Sequence, residues 1–375
     1  MRTRIAIFLS IAIVILYVAN LVVYEGLALA FELATLSQLI ALGLTLGALS
    51  AGFIGMIILG SYYYNWFTRT VYTLLAVWMG TFGNLFFASV AFGLVVSIAS
   101  LFGVAIPYQV VGTGIVTAAL LVSAYGVWHA KQIRAARYRV ALPNLPPEWK
   151  NKKALWISDL HLGQLHGPNF AAKVARAVNA QKPDIIFIGG DLYDGTGAPD
   201  PYDLVKPLEA LNAPWGVFYI TGNHEEFGDN SGFIHSASAV GMRVLMDELV
   251  TIHGLNIIGV DYAHANDPAR FKEILSALEF EQHIPSILLK HEPNNLQIAE
   301  EAGVSLQISG HTHYGQQWPF GLLAQLSYKG YAYGLKNFKN MQMLTSSGIG
   351  TWGPPLRIGS DAEMVVITFS LAEQA

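Results

Sequence analysis

Seven side chains of the kinds that bind metal ions occur in order between positions 159 and 313 of a 375-residue chain. Asp159 and His161 lie in Ser158-Asp159-Leu160-His161, Asp191 in Gly189-Gly190-Asp191, and Asn223 in Gly222-Asn223-His224-Glu225. His291 follows in Lys290-His291-Glu292-Pro293, then His311 and His313 in Gly310-His311-Thr312-His313. Asp, His and Asn donors without cysteine suit a hard or borderline divalent cation such as Mn, Fe or Zn. Two such ions clamping a phosphoryl group are the chemistry this set would serve. Alone, an Asp-x-His is an ordinary solvated loop and a Gly-Asn-His an ordinary turn. Five clusters in order are a different matter.

Most of the clusters end an apolar, β-branched run such as Asp184-Ile185-Ile186-Phe187-Ile188. In open α/β sheets, ligands gather outside the carboxyl ends of strands. Residues i and i+2 of an extended strand share a face. Asp159 and His161 are therefore expected to reach one ion together, as are His311 and His313 if the strand runs through both. Gly190, Gly222 and Gly310 precede ligands, where a residue lacking Cβ lets backbone approach closely. Strands are expected near 154–158, 185–189, 217–221, 256–260, 286–289, 306–309, 341–346 and 364–369. Helices fit 169–180, 202–210, 231–239, 269–278 and 294–301. Such alternation implies sheets covered by helices.

The motif set D-x-H, G-D, G-N-H, a lone His and G-H-x-H resembles the calcineurin-like metallophosphoesterases over roughly 155–369. Gly310-His311-Thr312-His313-Tyr314-Gly315-Gln316-Gln317-Trp318 and the run from Ser347 to Arg357 are similar to the YkuE/YaeI-like phosphodiesterase subgroup. The resemblance implies an α/β four-layer αββα sandwich with two divalent metal ions at one edge. One ion would take Asp159, His161 and His313, the other Asn223, His291 and His311, with Asp191 bridging them. It implies that a metal-bridging hydroxide attacks phosphorus and that His224 contacts the phosphate as general acid. Two local departures are Tyr314, where the subgroup often has Gly, and Lys290, where a small residue is common. Lys290 is read as solvent-facing and Asp194 as a turn residue, although Asp194 could orient a histidine. No large insertion separates Glu225 from His291, so a substrate cap is not expected.

The chain is 53% hydrophobic, high for a water-soluble enzyme, and the excess is local. Before Lys131 the charged residues are Arg2, Arg4, Glu25, Glu32 and Arg69. An all-α membrane bundle of about four transmembrane helices is expected over 1–130, with spans near 5–24, 36–59, 71–102 and 110–128. The third exceeds the ~20 residues a bilayer needs, so tilt, a kink or an extension is implied. No cleavage site follows the first span, which is read as retained. Tyr62, Tyr63, Tyr64, Trp66, Phe67 and Trp128 mark interfaces. Spans without interior charge suit an anchor rather than a transporter. Gly43 and Gly47 are expected to permit close helix packing.

Arg2, Arg4 and Arg69 alternate with loops lacking basic residues, and Lys131, Arg134, Arg137 and Arg139 follow the last span. The positive-inside rule puts the catalytic domain in the cytoplasm, at the cell membrane. If the third segment split in two, it would lie outside. Residues 131–150 are read as a basic, Pro-rich linker, whose cations meet lipid headgroups or simply stop the fourth helix. Residues 151–375 would form the catalytic domain. No nucleic-acid partner is expected, because the soluble part is acidic and lacks a basic stripe. The partners implied are the lipid bilayer and a phosphodiester or pyrophosphate substrate. Trp318, Phe320, Tyr328, Tyr331, Tyr333 and Trp352 could wall an apolar site or dip toward the bilayer, which favours a lipid-linked substrate. A soluble nucleotide phosphodiester and a non-catalytic sensor are the competing readings.

Overall fold

Long apolar runs leave the backbone no partner in hydrocarbon except itself, and the helix satisfies every N–H and C=O internally. Four such runs fold as α1 (Arg2–Ala30), α2 (Leu36–Gly60), α3 (Trp66–Leu101) and α4 (Tyr108–Ala130). All four are long and apolar enough to cross a membrane. The third segment is one continuous helix of 36 residues, not two. This computed structural model describes residues 2–195, 200–226, 230–281 and 283–372, with the side chains of 2–9 left out.

The chain divides into two units. One comprises Met1–Leu59, Thr70–Trp128 and Pro354–Leu356, the other Gly60–Arg69, His129–Gly353 and Arg357–Ala375. In the helical unit, Val23, Leu46, Phe82, Leu85 and Ala119 are buried together. Gly26 and Gly112 permit close approach: a Cβ on Gly112 would sit 2.4 Å from that of Ala30. Gly43 and Gly47, expected in this role, do not serve it, since a Cβ would fit at either. Inside the bundle Asn84 Nδ2 donates to Ser123 Oγ at 2.8 Å, and that hydroxyl donates to Ala119 O.

The second unit is built from β1 (Ile133–Leu142), β2 (Lys153–Ile157), α5 (Pro168–Asn179), β3 (Ile185–Gly189), α6 (Pro201–Val205), β4 (Val217–Ile220), α7 (Ser231–Ala239) and β5 (Arg243–Val244). It continues with β6 (Glu248–Ile252), β7 (Leu255–Gly259), α8 (Tyr262–Asn266), α9 (Pro268–Ala277), β8 (Ser286–Leu289), α10 (Leu296–Glu301) and β9 (Leu306–Ser309). The last elements are α11 (Phe320–Ser327), β10 (Gly334–Phe338), β11 (Met341–Thr345) and β12 (Ala362–Leu371). Two six-stranded sheets result, ordered β1-β12-β2-β3-β4-β5 and β10-β11-β9-β8-β7-β6.

Alternation along each strand decides the layers. Trp156, Phe187 and Phe218 of the first sheet meet Ile257, Leu289 and Ile308 of the second in one core. Leu155, Ile157, Ile186 and Ile188 turn the other way, onto Val174, Val178 and Leu204 of the first sheet's helices. Ile258 and Leu288 likewise cover Phe271, Ile274 and Ala299. The layer order is therefore αββα. Between Glu225 and His291 the described residues form strands and helices of these layers, with no separate cap.

Residues 131–150 are not a linker. Ile133–Leu142 forms the edge strand of the first sheet, paired in parallel with β12 from Ile133↔Ala362 to Leu142↔Leu371. Edge strands tolerate charge on their solvent side, so the arginines concealed a strand. The short strands β5, β6 and β10 and the helix α11 also went unpredicted. The three strands lie at sheet edges, where part-exposed residues dilute the apolar run that marks a central strand.

Candidate metal centre

β2, β3 and β4 of the first sheet and β8 and β9 of the second end at neighbouring points of their sheets, and each ligand cluster follows at or near such an end. Asp159, His161 and His313 bring donor atoms together, as do Asp191, His291 and His311. Asn223 Oδ1 joins the second group, 2.8 Å from His311 Nδ1 and 3.3 Å from His291 Nε2. Asp191 Oδ2 lies 3.3 Å from His291 Nε2 and 3.8 Å from His161 Nε2, so it faces both groups. All seven sequence-derived donors meet in one region of the fold.

The expected strand pleat does not bring them together. β2 stops at Ile157 and β9 at Ser309, short of the ligands. Asp159, His161, Asp191, His311 and His313 have φ of +58°, +48°, +49°, +68° and +47°. Non-glycine residues visit this left-handed region rarely, and its concentration here is stored strain at a site. Two residues apart, His311 and His313 consequently join different groups. Close approach of backbone to ligand is required at all three expected glycines: a Cβ on Gly190 would fall 2.6 Å from His291 Nδ1, one on Gly222 2.2 Å from Asp191 Oδ1, and one on Gly310 2.5 Å from Asp159 Oδ2.

Hydrogen bonds hold the donors in orientation. Glu225, fully buried, accepts from the amides of Asp191 (3.0 Å), Gly222 (2.6 Å) and Tyr193 (3.0 Å). The His224 amide donates to Asp191 Oδ1 at 2.9 Å. His291 Nδ1 donates to Gly189 O at 2.7 Å, which leaves Nε2 as the donor atom for a ligand. Ser158 Oγ and the His311 amide both donate to Asp159.

Burial raises the Asp159 carboxyl to about 6, although His291 opposes the shift. Burial would also raise Asp191, but His291, His161 and His224 together outweigh it and hold that carboxyl well below the usual range. His291 in turn is raised to about 10, because Asp191 overcomes the desolvation that would lower it. Burial depresses His161, His311 and His313. Neutral imidazoles at His161, His311 and His313 beside a charged Asp191 are states that bind a metal, whereas His291 would first have to release the proton that Asp191 holds on it.

The donor set fits divalent cations on geometry as well. His161 Nε2 and His313 Nε2 are 3.0 Å apart, close enough for both nitrogens to lie ~2.1 Å from one ion. His161 Nδ1 is buried without a hydrogen-bond partner among the described residues, 3.7 Å from Asp194 Oδ1.

The model of calcineurin-like phosphoesterases matches residues 152–315. YkuE, an uncharacterized metallophosphoesterase of Bacillus subtilis, is 30% identical over 246 residues, covering 63% of this chain and 85% of that protein. The chain belongs to the calcineurin-like phosphoesterase family. An uncharacterized metallophosphoesterase of Campylobacter jejuni is 34% identical over 237 residues, 61% of each chain. A Bos taurus transmembrane protein with metallophosphoesterase domain is 30% identical over 270 residues, 67% of this chain and 61% of its own. The match thus spans about six-tenths of the length of these last two relatives.

The phosphoesterase domain departs from the sequence reading at two residues. Lys290 is buried, not solvent-facing: Nζ donates to Glu292 O at 2.9 Å and to Asn294 Oδ1, 5.7 Å from the Phe271 ring centre. Desolvation lowers it to about 7. Asp194 is more than a turn residue, with Oδ1 3.7 Å from His161 Nδ1 and 3.9 Å from His224 Nδ1. Its carbonyl receives His224 Nδ1 at 2.8 Å.

Two residues of this phosphoesterase site had no role in the sequence reading. Glu225 was visible only as the neighbour of His224. Arg357, at the end of a quoted motif, is fully buried and donates to the carbonyls of Ser347, Gly348 and Gly350. The loop it fixes donates the Ile349 amide to Ser158 O and the Gly350 amide to Asp159 O. The aromatics split up. Trp352 lies 6.1 Å from the His224 ring and Tyr328 6.3 Å from His311, whereas Tyr333 stacks on Tyr314 and Tyr331 packs on Phe338.

Proposed function

We propose that the chain is a membrane-anchored phosphoesterase with a dinuclear centre of Mn, Fe or Zn that cleaves phosphodiester or pyrophosphate bonds of a lipid-linked substrate. Asp159, His161 and His313 would hold one ion, and Asn223, His291 and His311 the other. The observation that carries this reading is Asp191 Oδ2, which faces His161 of one group and His291 of the other. When bound, two divalent ions supply the charge that offsets the phosphoryl oxygens and acidify a water for in-line attack.

The protein's own residues supply the rest. Glu225 fixes the backbone of Asp191, Tyr193 and Gly222 through their amides, and the His224 amide holds Asp191 Oδ1, so the shared carboxylate is oriented before substrate arrives. The carbonyl of Asp194 accepts a hydrogen bond from His224 Nδ1–H, so that the ring, when protonated on both nitrogens, would turn its Nε2–H to the departing oxygen and end as the neutral Nδ1–H tautomer. Trp352, exposed beside His224, gives the site an apolar rim suited to a lipid-linked group.

Arg69 and the basic residues from Lys131 favour a cytoplasmic domain at the cell membrane, and the unbroken α3 keeps the span count even. Protease accessibility in sealed vesicles tests the side. Purified full-length protein with added Mn²⁺ should hydrolyse bis-(p-nitrophenyl) phosphate. Folded protein inactive with every divalent metal would instead be a sensor. Faster turnover of cyclic nucleotides than of detergent-solubilised lipid pyrophosphates would favour a soluble substrate.

A further inference from the structure

Outside the metal centre the phosphoesterase unit carries a helix with no buried residue, α11. Leu322, Leu323 and Leu326 are 61, 57 and 76% exposed, and their i, i+1, i+4 spacing puts them on one face. No charged side chain occurs between His313 and Lys329. Trp318 and Trp352, also well exposed, flank the patch. Contiguous exposed apolar surface of this kind marks an interaction site.

The base of α11 and the Trp352 loop are one structure. Gln316 Nε2 donates to Trp352 O at 3.2 Å, and the Trp352 amide returns a bond to Gln316 Oε1 at 3.0 Å. The Trp318 amide donates to Ile358 O at 2.7 Å.

The identity of the partner follows from where the unit receives its chain. Gly60–Arg69, which joins two apolar membrane-length helices, belongs to this unit. Gln164 Nε2 donates to Gly60 O at 2.7 Å and to Tyr63 O at 2.8 Å, and Arg69 Nε donates to Gln164 O at 3.1 Å. At the end of α4, His129 Nε2 lies 2.8 Å from Asp361 Oδ1. Gln164 and Asp361 sit in the loops beside the patch: His166 bonds Thr351 Oγ1 at 2.9 Å, and Asp361 follows Ile358 by three residues. Chain arriving from three span ends is thus fixed to the loops that carry the patch.

The geometry points to α11 as an interfacial helix whose leucine face enters the headgroup–acyl boundary of a lipid bilayer, with Trp318 and Trp352 at its rim. Trp352 also borders His224, so the bond to be cleaved would sit at headgroup depth. That last consequence rests on the proposed function; the bilayer contact does not.

The chain has no cysteine, so a single introduced thiol can be labelled uniquely. Bimane is attached at Leu326→Cys in the full chain, reconstituted in phosphatidylcholine–phosphatidylglycerol vesicles doped with acyl-chain nitroxide lipid. Emission should shift to the blue and be quenched at least twofold, as for Leu44→Cys on α2 and unlike Ser276→Cys on α9. A signal at position 326 matching that at 276 would overturn the inference. So would thiol cross-linking at 326 between chains that persists on lipid dilution, which would make the face a dimer contact. Bis-(p-nitrophenyl) phosphate turnover by the same sample reports on the metal centre separately. Loss of turnover with quenching intact would sink the functional proposal and leave this one standing.

Discussion

His161 and His313, 152 residues apart in sequence, bring their Nε2 atoms within 3.0 Å of each other in a buried pocket with Asp159. Two lone pairs at that distance repel unless a proton or a cation lies between them. His313→Ala should therefore lower bound metal from about two ions per chain to about one. Elemental analysis after dialysis measures this, and an unchanged metal content would reject the assignment.

Asp191→Asn weakens the carboxylate that faces both donor groups, and His311→Ala removes one donor outright. Each should lower turnover of bis-(p-nitrophenyl) phosphate by at least ~10²-fold, because metal geometry sets the electrostatic stabilisation. Near-normal rates in both variants would contradict the proposed centre.

Asp194 touches two histidines through its side chain and one through its carbonyl, and only the side chain is lost in Asp194→Ala. Turnover should drop ~10–100-fold, the usual effect of removing a group that orients a ligand. The loss should appear in kcat more than in KM, with an unaltered circular dichroism spectrum. Full activity would return Asp194 to a turn residue.

Burial lowers His166 to about 3, and the charge of Arg357 adds to the shift. The unfolded chain takes up this proton near pH 6.5. Its folded counterpart does so only near 3. The folded state is thus fully favoured above 6.5 and loses stability as pH falls from 6.5 toward 3. Between pH 7 and 5, the parent Tm should decline roughly 2–4 °C more than that of His166→Gln. Parallel declines would show that His166 is not the group responsible.

The residue types and order of the seven donors were legible in the sequence, as were the four apolar helices and most central strands. Metal chemistry admits few donor types, and both hydrophobic length and strand alternation are local signals. The parting of His311 from His313 was implied by the family resemblance alone, not by their spacing. The left-handed backbone at Asp159 and His161 was not legible, nor was the burial of Lys290 or the Arg357 clamp. Each depends on which loop meets which across the two sheets, a long-range matter that no local period encodes. The same holds for β1: its arginines resemble a membrane stop until β12 lies beside them and supplies the hydrogen bonds that make a strand. Sequence determined which chemical groups were present; tertiary contact decided which of them come within reach of one another, because only folding sets the distances on which coordination would depend.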